Sequence, residues 1–189
     1  MGKIALLLSH LLNPALLALL VFAVEGWFDD WFIGFVAMGI FALLPGGVLL
    51  ILVRWRYLDQ VYPDDRDERA ILLMLGGLCY AVGWAILYWL GAGLMVLLTA
   101  GTFVFCTLLV WLINRYWKIS IHAAGVGATA CILLVTAGEV AVPFLLALPA
   151  IAWARLYLRV HTPAQVGVGM VLGIAIPALL FHIFECCRR

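Results

Sequence analysis

Apolar runs of about twenty residues, the length that carries a helix across a bilayer core, alternate with short polar breaks along almost the whole chain. This pattern predicts about seven transmembrane helices, over roughly 4–24, 31–53, 70–90, 93–114, 119–138, 140–160 and 163–184. The third and fourth are joined only by Gly91-Ala92-Gly93, which predicts a tight helical hairpin. Pro14, Pro45, Pro149 and Pro177 fall inside runs, where bundled neighbours tolerate a kink. Gly169 and Gly173 form a GxxxG pair, and Gly125 with Gly127 sits among alanines. Small residues at that spacing let helix backbones touch.

Composition points the same way. Apolar residues make up 67% and charged residues 11% of the 189, whereas a soluble domain has about a quarter charged. A soluble core of this size could not hide so much apolar surface. No charged residue occurs between Ala70 and Asn114, and only Glu139 between Ile119 and Ala154. The expected fold class is therefore all-α integral membrane, one multi-pass transmembrane domain over 1–189. It divides into N-terminal helices over about 4–53, a polar loop over 54–69, a helical hairpin over 70–114 and a final region over 115–184. The first apolar run is too long for a signal-peptide core and is read as a retained helix.

The net charge of +1 identifies no partner, and nothing suggests nucleic acid. Placement says more. With alternate loops on one membrane face, Lys3, Arg54, Arg56, Arg66, Arg69, Arg115, Lys118, Arg155 and Arg159 share a side. Glu25, Asp29, Asp30 and Glu139, with Arg188 and Arg189, fall on the other. An excess of Lys and Arg ordinarily marks the cytoplasmic face, but cations that bind a ligand do not report topology. Tryptophans near run ends, among them Trp27, Trp31, Trp55, Trp89 and Trp117, fit an interfacial belt.

The cysteines show no metal-ligand spacing and no disulfide framework. Cys79, Cys106 and Cys131 read as small hydrophobes. Cys186 and Cys187 beside Arg188 and Arg189 fit plain interfacial residues or an S-acylation site. No metal or other cofactor is expected.

Three segments on the basic side carry candidate chemistry. They are Tyr62–Arg69, Trp117–Gly125 and Arg155–Gln165. Two histidines, His122 and His161, share this face with several cations. Arg and Lys can hold the non-bridging oxygens of a phosphate. One histidine can attack phosphorus while another protonates the leaving oxygen. Each histidine alone also fits an interfacial side chain, and Arg159 fits a headgroup anchor. Arg66 and Arg69 fit either phosphate binding or local pairing with neighbouring acids. His10 and His182 carry no partner pattern, and packing explains them.

Residues 115–175 resemble the type 2 phosphatidic acid phosphatase (PAP2) family of membrane lipid phosphatases. Ile119-Ser120-Ile121-His122 stands where that family has Pro-Ser-Gly-His. Ala154-Arg155, five residues, His161, three residues and Gln165 stand where it has Ser-Arg, five residues, His, three residues and Asp. The resemblance implies a PAP2-like core in the C-terminal half and a phosphorylated lipid as substrate among the membrane lipids. It further implies His161 as the nucleophile forming a phosphohistidine, His122 as the general acid, and Arg155 and Ser120 as phosphate ligands. The family's first motif is not recognisable here. Lys118, Arg66 or Arg69 could supply its charge. Gln165 takes the place of the Asp that orients the nucleophile, and its carbonyl can still accept an imidazole hydrogen bond. The missing charge matters, since the analogous amide substitution in a Ser-His-Asp enzyme costs about 10⁴ in rate. Asp64, Asp65, Asp67 or Glu68 could fold over the site and supply a carboxylate instead.

The leading expectation is removal of phosphate from a phosphatidate-like or isoprenyl mono- or diphosphate. Beside it stands a weak or inactive relative that binds or transports such a lipid. A third class, a Mg²⁺-dependent prenyltransferase, draws on the acids at 64–68 but lacks a second acidic cluster. Oligomeric state is not legible.

Overall fold

The computed structural model describes residues 1–55, 57 and 66–188, the side chains of Arg66 and Arg188 excepted. Among these residues every regular element is helical. In chain order they are α1 (Gly2–Leu11), α2 (Pro14–Phe28), α3 (Trp31–Met38), a π-helical turn (Gly39–Leu43) and α4 (Leu44–Arg54), followed by α5 (Arg66–Trp89) and α6 (Leu94–Asn114). Then come α7 (Ile121–Thr136), a 3₁₀ turn (Gly138–Ala141), α8 (Val142–Tyr157) and α9 (Pro163–Arg188).

Five helical stretches are long and apolar enough to cross a membrane: Trp31–Arg54, Asp67–Trp89, Leu94–Asn114, Gly138–Tyr157 and Pro163–Cys187. The first expected span, 4–24, is broken. Asn13 caps α2 by accepting from the Ala15 N–H at 2.8 Å, and Pro14 takes the first helical position, where its missing N–H costs nothing. The result is a 44° bend between α1 and α2, a pair that makes a sixth candidate span if counted as one. The expected span 119–138 is α7, only 16 residues long. The run there also takes in Ile119 and the N-cap Ser120 at one end and the turn at Gly138, which takes φ 58°, at the other. The hairpin after α5 forms as expected, with Gly91 at φ 76°.

Burial runs inside-out relative to a soluble protein. Trp27, Trp89 and Tyr116 are over four-fifths exposed, and Leu6, Leu50, Leu78, Val171 and Leu179 line the outer surface. Small and polar residues sit inside. α7 is the centre: His122, Ala123, Ala124, Val126, Gly127, Thr129, Ala130, Ile132 and Leu133 are all buried. Its partner is α9. A Cβ on Gly169 would lie 2.6 Å from the Ser120 carbonyl oxygen, and one on Gly173 would overlap the Ala124 backbone. The GxxxG pair therefore clamps the first turns of α7 onto α9, which fixes the height of His122 against the loop before α9. A second apolar cluster, around Phe22, Phe41, Leu87 and Val96, joins α2 to α3, α5 and α6.

Candidate active site

Two helix caps shape the loop that carries His161. At the end of α8, the Val160 N–H donates to the Arg155 carbonyl at 3.3 Å and the Arg159 N–H to the Leu156 carbonyl at 3.0 Å. This is a Schellman ending with Arg159, at φ 55°, in the left-handed position that glycine usually fills. Two residues later α9 opens on a capping box. The Gln165 N–H donates to Thr162 Oγ1 at 3.3 Å, and the Thr162 N–H donates to Gln165 Oε1 at 3.0 Å. The two caps leave Val160 and His161 between them, turned back toward Arg155.

The Lys118 segment reaches the same place from α6. Ser120 is fully buried and caps α7, its Oγ accepting from the Ala123 N–H at 3.4 Å. Its own N–H donates to the Gln165 carbonyl at 3.3 Å, which ties the two segments together. Arg69, on the first turns of α5, is buried and donates from Nη2 to the Ile119 carbonyl at 3.1 Å. So helices far apart in sequence present their polar residues at one end of the bundle.

His161 lies at the focus. Burial, and then the positive charges of Arg155, Lys118 and Arg69, lower its imidazole pKa from 6.5 to about 4. Both ring nitrogens are buried and make no hydrogen bond. The Ile119 carbonyl is nearby but outside hydrogen-bond geometry, and Arg69 already engages it. His122, 7% exposed, lies within electrostatic reach of Arg155, His161 and His10, with the Ser9 backbone nearby. Arg155 thus sits between the two histidines electrostatically, and its Nη1 donates to Ser9 Oγ at 3.4 Å.

The expected residues divide as follows. His122, His161, Arg155, Lys118 and Arg69 come together. Ser120 is adjacent, with its hydroxyl used as a helix cap. Gln165 is adjacent too, but its side-chain carbonyl accepts from Thr162 and not from His161, whose Nδ1 stays without a partner. Arg66 opens α5, and its side chain lies outside the described residues, as do Asp64 and Asp65. Asp67 and Glu68 are described and are not among the charges that bear on His161. Among the described residues no group of three or more His, Cys, Asp or Glu could hold a metal ion. The contribution of α1, through Ser9 and His10, was not expected. It carries no local motif, and only the bend at Asn13-Pro14 brings it here.

An open hollow of about 390 Å³ lies on the outer side of the loop, lined by Leu156, Arg159, Val160, His161, Thr162, Pro163 and Gln165. Arg155 and His122 are not part of its lining. No protein-family model matches the chain, and neither curated proteins nor solved structures give a match.

Proposed function

We propose that the chain is an integral membrane lipid phosphatase of the PAP2 kind, acting on a phosphatidate-like or isoprenyl mono- or diphosphate. One observation carries this reading. Arg155 bears electrostatically on both imidazoles, and among the described residues the charges that bear on His161 are positive. A buried cluster of that sign is complementary to an oxyanion.

The mechanism follows from the groups. Arg155, Lys118 and Arg69 hold the non-bridging oxygens. His161, neutral because its pKa is low, attacks phosphorus through a free ring nitrogen. The bond from phosphorus to the lipid oxygen breaks, and His122 as imidazolium protonates that oxygen. The bound dianion favours the charged form of His122. Neutral His122 then takes a proton from water, whose oxygen attacks the phosphohistidine. Phosphate leaves and both histidines return to their starting states. The lipid tail lies among the apolar outer faces of the helices.

The experiment is phosphate release by the purified chain in detergent with chelator present. Turnover that is lost in both His161→Ala and His122→Ala supports the proposal. Release that persists in His161→Ala, or needs Mg²⁺, defeats it.

A second reading, binding or carrying a phosphorylated lipid without turnover, is favoured by Gln165. Its carbonyl is committed to the Thr162 cap, and among the described residues no carboxylate is hydrogen-bonded to His161. That reading requires phosphate-lipid binding with no release by the wild type.

A further inference from the structure

Ser9 lies on α1, a ten-residue helix held at 44° to α2 by the Asn13-Pro14 break. It is 6% exposed and shares the buried face of α1 with Ala5, while Ile4, Leu6, Leu7 and Leu11 face outward. Its hydroxyl accepts from Arg155 Nη1 at 3.4 Å. Its backbone lies near the His122 ring. One residue of the first helix therefore touches a cation supplied by α8.

We propose that Ser9 is a positioning residue of the phosphate site: its hydroxyl aims the Arg155 guanidinium. A planar guanidinium grips phosphate at two points only when its plane is correctly aimed, so a contact that sets that plane matters. The Ser9 hydroxyl does not touch the reacting atoms. It acts through Arg155, and the short α1 is the arm that delivers it. This inference rests on the phosphatase reading above and adds a residue that neither family-like motif contains.

The test uses the full chain in detergent, with inorganic phosphate as the binding probe and phosphatidate in mixed micelles as the turnover probe. Ser9→Ala is expected to weaken phosphate binding about fivefold, the worth of one modest hydrogen bond, with an unchanged unfolding midpoint. Ser9→Thr, which keeps the hydroxyl, restores binding. Because the added methyl group could disturb packing, a double-mutant cycle provides an independent arm. In an Arg155→Gln background, Ser9→Ala should cause no further loss, since the two changes remove one shared contact. Full additivity of the two losses, or wild-type binding and turnover in Ser9→Ala, overturns the proposal while leaving the phosphatase reading intact. Absence of both phosphate binding and release in the wild type overturns that reading, and this inference with it.

Discussion

At one end of the bundle, Arg69, Arg155, Lys118, His122 and His161 gather around a single loop. At the other, Glu25 is 3% exposed and meets the Thr99 hydroxyl at 2.5 Å, with its second oxygen buried and without a hydrogen bond. Both ends bury polar groups against an apolar exterior, and the difference lies in what could satisfy them. A carboxyl can be neutralised by one proton, whereas a guanidinium stays charged. The Glu25 pair can serve as a packed contact between α2 and α6. The cationic end keeps its charge, which is why an anion is proposed there. The same contrast shows in backbone geometry. The acidic end closes on a plain hairpin at Gly91, while the cationic end places a non-glycine residue, Arg159, at φ 55° between two interlocking caps.

This comparison can be broken most sharply by exchanging the ends' roles in an activity assay. His161→Ala and His122→Ala should each lower phosphate release by on the order of 10³-fold, whereas Glu25→Gln should leave it within a few-fold. Equal losses at both ends would erase the distinction. Next in size is Arg155→Gln, expected to cost about 10² in kcat/KM, as the loss of one charged ligand to a developing oxyanion does. It should also change the pH profile. His161 must be neutral to attack, and its lowered pKa keeps it neutral from 6.5 down to about 4. Removing one positive neighbour should therefore move the acid limb of kcat/KM upward, compared with the wild type on the same substrate so that substrate ionisation cancels. A limb that stays in place would separate Arg155 from His161.

Smaller effects test the scaffold. Gly173→Ala forces a methyl group into the Ala124 backbone, and should destabilise the chain by about 1–3 kcal/mol while lowering activity through the misplaced His122 segment. Thr99→Val should lower the unfolding midpoint by the equivalent of about 1–2 kcal/mol, the cost of stranding a buried acceptor, without altering turnover. Stability should also fall on acidification through the window from 6.5 to about 4. There the unfolded chain takes up a proton at His161 that the folded chain refuses. Detergent unfolding at stepped pH measures this, and a flat profile would contradict the burial of that ring.

Much of this arrangement was legible in the sequence, for reasons that differ by element. The long helices followed from uninterrupted apolar runs, because lipid imposes length and excludes charge over the whole run. The cation and histidine positions shared a face by loop parity, which is again a property of length. What length could not give was the break at Asn13-Pro14. There an N-cap and a proline start a new helix inside one apolar run, and α1 swings to bring Ser9 to Arg155. Gln165 teaches a related lesson. Thr162-Pro163-Ala164-Gln165 is a capping-box spelling, and the local hydrogen bonds it promises took the glutamine that the family-like spacing had offered to His161. The contact of Arg69 with Ile119 lay beyond sequence reasoning, since it joins residues 50 positions apart through a side chain that could equally have paired with neighbouring acids.

The decisive measurement is chemical trapping at His161. The purified chain is mixed with a phosphatidate labelled with radioactive phosphorus in its phosphate group, quenched in alkali and digested. The expected result is an acid-labile, alkali-stable label on the peptide that contains His161. The label should vanish in His161→Ala and persist under chelator. Phosphate release that proceeds with no label on that histidine, in rapid-quench samples as well as at steady state, would contradict the account.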